Sequence, residues 1–156
     1  MGTRSLTFVY DSYKTPKGKV VNEPIINFYR QYDGYPTGHG AELAEFLSGG
    51  QITNGLPVSF GRVEEPKFFN GMGDLAAQLV AHFKQEAGGF YLYPVTAKDC
   101  GQDYEYHIYQ QDNGFKIIVM DCGCNFFGMT NDETYEEIFN GSLVDFVEFC
   151  KEKEEA

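Results

Sequence analysis

The sequence predicts an α+β fold: a mainly antiparallel sheet of about five strands with three helices, in the order β-β-α-α-β-β-β-α. Three observations carry this reading. Strand-forming runs stand at the start of the chain and again in its second half. Two of them, YEYHIYQ and FKIIVMD, flank Asp112-Asn113-Gly114, a strong hairpin signal. Helical periodicity falls between and after the strand groups, so hairpins rather than βαβ crossovers are the expected connections. No linker divides the 156 residues, and one domain over residues 1–156 is expected.

The elements follow in order. Thr3–Tyr10 alternates and is rich in strand formers. Lys14–Gly18 is a turn, and Val20–Tyr32 is a second strand interrupted near Asn22–Pro24. Ala41–Leu47 is helical and ends at Ser48-Gly49-Gly50, with glycine where a helix stops. Gln51–Pro66 has no period and reads as a loop. Asp74–Gln85 carries an apolar stripe of Leu75, Ala76, Leu79, Val80 and Phe83, stopped by Gly88-Gly89. Phe90–Val95, Tyr104–Gln110 and Phe115–Asp121 are strands. Asn131–Glu155 is read as helical, split at Gly141, with Ser142 and Asp145 spaced as a capping box.

Composition sets limits on function. Hydrophobic residues make up 42% and aromatic residues 16%, enough for a packed core. The net charge of −11 removes the basic footprint that polymeric nucleic acid requires. No apolar run approaches the roughly 18 residues of a membrane helix, and MGTRSLTFVYD lacks a signal-peptide core, so no membrane partner and a cytoplasmic location are expected. Cysteines 100, 122, 124 and 150 are then expected as reduced thiols. Cys122 and Cys124 share one side of a strand, but the paired spacing of structural zinc is missing. No metal and no cofactor are expected. The many tyrosines permit a homodimer without requiring one.

Two glycine-rich helix starts are the chemical candidates. Gly38-His39-Gly40 leads into AELAEFL, and Gly71-Met72-Gly73 leads into DLAAQLVAHF. The first N–H groups of a helix have no intrahelical partner, and glycine lets a phosphate or carboxylate approach them. Around the first start, Arg30 offers a planar fork for an anion. Tyr32 and Tyr35 can stack on a base or sugar. Asp33 can hold ribose hydroxyls or simply form the turn. His39 stands at the helix start, the one histidine placed for a cleft, whereas His82 and His107 read as structural. Asn70 can cap the second helix, and Arg4 is a further cation. The structural reading of the same residues is a tight turn, an Arg30 ion pair to Asp33 or Glu42, and Asp74 satisfying its own helix.

The start MGTRSLT, the block YRQYDGYPTGHGAELAEFL and the block FNGMGDLAAQLVAHFK together resemble an uncharacterised family of small proteins from phage, large-virus and bacterial genomes. The resemblance covers most of residues 1–95. It implies that Thr3, Arg4, Arg30, Gln31, Tyr32, Asp33, Gly34, His39, Gly40, Asn70, Gly71 and Gly73 matter, and it attaches no activity to them. A phage or viral protein would act in the host cytoplasm.

Three functions are consistent with these features. The first is a binder of a small anionic ligand, a nucleotide or a similar metabolite, acting by sequestration. The second is an acidic interaction or inhibitor module working through its charge. The third is an enzyme on a phosphorylated small molecule, with His39 as acid/base and Asp33 as its partner.

Overall fold

The computed structural model describes residues 2–55, 67–112, 114–123 and 135–155. Its centre is a mixed six-stranded sheet. Strands β1 (Ser5–Lys14) and β2 (Val20–Arg30) form the expected antiparallel hairpin. A π-helical turn, Pro36–Gly40, continues directly into α1 (Ala41–Leu47). Then come β3 (Gly50–Thr53), β4 (Lys67–Asn70), α2 (Gly71–Phe83) and β5 (Phe90–Tyr93). The chain closes with β6 (Tyr104–Gln111), β7 (Gly114–Asp121), β8 (Glu136–Ser142) and α3 (Leu143–Glu155).

The sheet order is β5-β2-β1-β6-β7-β8. Four of the five pairings are antiparallel, and β1 with β6 is parallel. The sheet is thus two antiparallel meanders joined along one parallel seam. The α+β class and the predominance of antiparallel pairs are as expected; the sheet has six strands rather than about five, it is mixed, and the element order differs from β-β-α-α-β-β-β-α. Two further corrections are local. Gln51–Thr53 lies in a strand that pairs in parallel with β4, not in a loop; residues 56–66 lie outside the described set. Glu136–Ser142 is an edge strand on β7 rather than helix, and residues 131–134 also lie outside it. The Ser142 start is as expected: its hydroxyl accepts the Asp145 N–H at 3.3 Å.

Pro24 shows how the hairpin is built. A register shift between Val9 and Tyr10 brings Tyr10 opposite Pro24. Beyond β5, which reaches only Asn27–Arg30, β2 has a free edge there, so the missing proline N–H breaks no ladder bond.

Strand alternation sends side chains to two different environments. On one face Val9, Phe28, Ile108 and Ile117 meet Leu43, Leu47, Leu75, Leu79 and Phe146 from the three helices. On the other, Leu6, Phe8 and Tyr29 form a smaller cluster flanked by Tyr10, Tyr93 and Cys100. Among the described residues no helix packs on this second face, and none is long and apolar enough to cross a membrane.

Candidate functional site

The expected site is the place to begin, and its centre is sealed. His39 has no exposed surface. Arg30 Nη1 lies 3.1 Å from its Nδ1, and a guanidinium only donates, so Nδ1 is an acceptor. Nε2 therefore carries the hydrogen and donates to Thr7 Oγ1 at 2.7 Å. Burial, then the neighbouring Arg30, push the imidazole down to about 3, and it is neutral. Phe83 and Tyr106 close around the ring, with centroids at 5.3 and 5.1 Å.

Arg30 is equally occupied. Its Nε donates to the Tyr32 carbonyl at 2.6 Å, its Nη1 pairs with Glu42, and its guanidinium lies 5.0 Å from the centre of the Phe90 ring. The depression beside it is rimmed by Glu42 and Glu45, which work against an anionic guest. Asp33 takes φ +61 in the turn and accepts the Tyr35 hydroxyl at 3.2 Å. The His39 side chain bonds Thr7 and Arg30, not Asp33, which departs from the acid/base pair expected of them. The Tyr32 and Tyr35 rings are exposed.

Gly38-His39-Gly40 lies inside a helical turn rather than before one, whereas Gly71, at φ +82, marks the junction into α2. Gly40 has φ −57 and ψ −48, and the turn begins at Pro36. A Cβ on Gly38 would lie 2.5 Å from the Asp33 carbonyl oxygen, so close chain packing fixes glycine there. Helix α2 begins at Gly71, with Asn70 preceding it. Asp74 accepts the Asn70 N–H at 2.8 Å and the Gln78 side chain at 3.0 Å, which holds a carboxylate in the first turn, where the positive end of the helix favours it. The Asn70 side chain accepts the Gly55 N–H at 2.7 Å.

The two starts do not share a site. Phe83, which packs on His39, ends α2, so Gly71 stands roughly 18 Å away along the helix axis. Arg4 is elsewhere again: its side chain hydrogen-bonds Tyr29, in the cluster on the opposite face of the sheet.

That opposite face holds a constellation the sequence reading passed over. Alternation along β6 points Glu105, His107 and Tyr109 to one side, while Tyr106 and Ile108 enter the core. The parallel seam sets Phe8 beside His107, and their rings stack at 5.1 Å with 7° between planes. Tyr10, one step beyond the seam on the same side, stacks on Tyr109 at 4.3 Å.

A directed hydrogen-bond chain links these side chains. The Glu105 carboxylate accepts His107 Nε2 at 3.0 Å, which fixes the hydrogen on Nε2. Nδ1 then accepts the Tyr10 hydroxyl at 2.6 Å. Tyr10 is in turn hydrogen-bonded to Tyr109. Burial pushes the Glu105 carboxyl up, but hydrogen bonds from His107, Gln102 and Tyr135 outweigh it and hold the group below its ordinary value. Burial, with Tyr109 beside it, pushes the Tyr10 phenol up.

Beside the chain lies a cavity of about 340 Å³. Phe8, Tyr10, Glu105 and His107 line it from the sheet, Pro24 and Val95 from its flanks, and Lys98 and Tyr135 from the connecting segments. The segment bearing Val95 and Lys98 is pinned down. Asn27 donates to the Pro94 and Ala97 carbonyls, both at 3.1 Å. The fully buried Gln102 donates to the Lys98 carbonyl at 2.7 Å and to Glu105 at 2.8 Å.

Among the described residues, no group of three or more His, Cys, Asp or Glu side chains is placed to hold a metal ion. Cys100, Cys122 and Cys150 are not joined in disulfides; burial raises all three thiols, Cys150 to about 12, which makes them poor nucleophiles. Cys124 lies outside the described residues.

Fold and site together define an α+β protein with helices on one face of the sheet and, on the other, an aromatic cavity with a polar wall. Comparison of the chain with family models, with curated proteins and with solved structures finds no match in any of the three.

Proposed function

We propose that the protein binds a small anionic metabolite with a planar ring, a nucleotide being the reference case, in the cavity beside Tyr10 and His107. One observation carries this reading: a hydrogen-bonded Glu105–His107–Tyr10 chain lies in the wall of an aromatic cavity. Aromatic rings with ordered polar groups are what a small-molecule pocket needs. Phe8 and Tyr10 offer ring faces, and Lys98, on its pinned segment, offers a cation. The overall charge of −11 favours a small guest over a long polyanion. The resemblance drawn from the sequence, to small proteins of phage, large-virus and bacterial genomes, extends the proposal to sequestration of the ligand in a host cell.

The test is a thermal-shift and NMR screen with nucleotides and sugar phosphates. Binding should raise the melting temperature and move the His107 ring resonances. Val95→Trp, which fills the cavity mouth, should abolish both responses, while Arg30→Lys should leave the His107 shifts in place. Resonance shifts confined to the Gly34–Gly40 turn would return the site to the helix start. No response to any compound would remove the reading.

A further inference from the structure

Resting on that cavity as the ligand site, we infer that it is catalytic: it hydrolyses a small carboxylic ester carrying a second, anionic group. The bond polarity leads there. The Glu105 carboxylate can only accept, and it receives His107 Nε2–H. His107 Nδ1 receives the Tyr10 hydroxyl, and Tyr10 lines the cavity. The chain therefore runs from Tyr10, which lines the cavity and is also hydrogen-bonded to Tyr109, through His107 to a largely buried carboxylate. A water bound in the cavity that donates to the Tyr10 oxygen has a continuous route for its proton.

The reaction balances without a cofactor. The water proton passes to Tyr10 as the phenolic proton passes to His107 Nδ1. The water oxygen bonds to the ester carbonyl carbon and forms a tetrahedral oxyanion. As that intermediate collapses, the bond to the alcohol oxygen breaks, and the proton on His107 returns through Tyr10 to the leaving alkoxide. Ester and water become acid and alcohol. No free tyrosinate is required, because the phenol gains one proton as it gives up the other. The imidazolium formed in passing is held against the Glu105 carboxylate, which Gln102 already orients. Lys98 is the cation that meets the second, anionic group of the substrate. Tyr10 is the catalytic residue, and His107 and Glu105 act through it.

A purely structural role would need no such opening. The contrast lies within the same protein: His39 is also doubly hydrogen-bonded, but it is fully enclosed and faces a cation.

The probes are para-nitrophenyl hydrogen succinate, whose free carboxylate would meet Lys98, and the neutral para-nitrophenyl acetate. The charged ester should be hydrolysed faster. Tyr10→Phe and His107→Gln should each lower the rate about 10²-fold. Glu105→Gln should lower it less and displace the pH–rate profile, a shift that lost packing alone would not produce. Lys98→Ala should remove the preference for the charged ester. Circular dichroism of each variant keeps unfolding out of the comparison. Unchanged hydrolysis by folded Tyr10→Phe overturns the proposal. Calorimetry with the corresponding anilide, the uncleaved amide analogue, separates the two readings. Anilide binding without ester turnover overturns catalysis and leaves the ligand site standing; neither binding nor turnover removes both.

Discussion

His39 packs against the helix-covered face of the sheet and His107 projects from the other, and each uses both ring nitrogens in hydrogen bonds. Their partners differ in charge. His39 faces a guanidinium, a permanent cation that excludes a second positive charge beside it. His107 faces a carboxylate, which accepts its Nε2 hydrogen. The first arrangement locks a tautomer and ties α1 to the sheet through Thr7 and Arg30. The second leaves a proton somewhere to go. A histidine at a glycine-rich helix start looks more functional in a sequence than one inside a strand, and here the surroundings reverse that order.

The largest expected effect breaks the locked side of this contrast. Arg30→Ala leaves His39 Nδ1 and the Tyr32 carbonyl without their donor and strips Glu42 of its cation. Denaturant titration should show a loss of about 3 kcal/mol, as expected when one partner of a largely buried polar network is removed. His107→Gln, on the more open face, should lose no more than about 1 kcal/mol. A loss in His107→Gln equal to or larger than that in Arg30→Ala would make His107 a structural residue as well and remove the contrast.

The locked histidine should also set the acid limb of stability. Its folded value, about 3, lies below the ordinary 6.5, so the unfolded chain binds the extra proton first. Stability is then complete above about pH 6.5 and falls as the pH drops toward the folded value, by on the order of 2 kcal/mol between about pH 7 and about pH 5. Glu105 also has a depressed value, but its contribution is lost only as the pH falls below about 4.5, so of the two groups His39 alone acts in the window above that. Thermal melts of His39→Gln should be flatter across the upper window. An unchanged slope would assign that window to another group.

Local signals in the sequence were enough for part of this architecture. Both hairpins and the apolar stripes of α1 and α2 were legible, because their patterns repeat within a few residues. The seam between β1 and β6 was not: it pairs Leu6 with Glu105 and Phe8 with His107, and no local pattern encodes a partner so distant in the chain. The strand at Glu136–Ser142 was hidden for another reason. Ile138 and Phe139 are both partly buried, across a register shift opposite Val119–Met120, and together with Leu143 and Phe146 they imitate a helical stripe. The candidate site was half legible. Glu105, His107 and Tyr109 alternate on one strand, so their common face was readable, but Tyr10 joins them only through the seam.

The smallest expected effect concerns the glycines that first drew attention. Gly38 opens one G-x-G segment and Gly73 closes the other, and a ligand role for both segments would forbid a side chain at either. Packing distinguishes them. A Cβ on Gly38 would lie 2.5 Å from the Asp33 oxygen and 3.0 Å from the Tyr35 ring, and backbone cannot easily yield. Gly38→Ala should destabilise by about 1 kcal/mol or more. A Cβ on Gly73 would meet nothing within 4 Å, and the residue lies in helical backbone. Gly73→Ala should therefore stabilise by roughly 0.5–1 kcal/mol, from helix propensity and a stiffer unfolded chain. Because α2 already has Asp74 at its start, the substitution should leave ligand binding at the cavity unchanged. Loss of binding in Gly73→Ala, with the melting temperature raised, would instead place the anion at the N-terminus of α2 and overturn the division between the two faces.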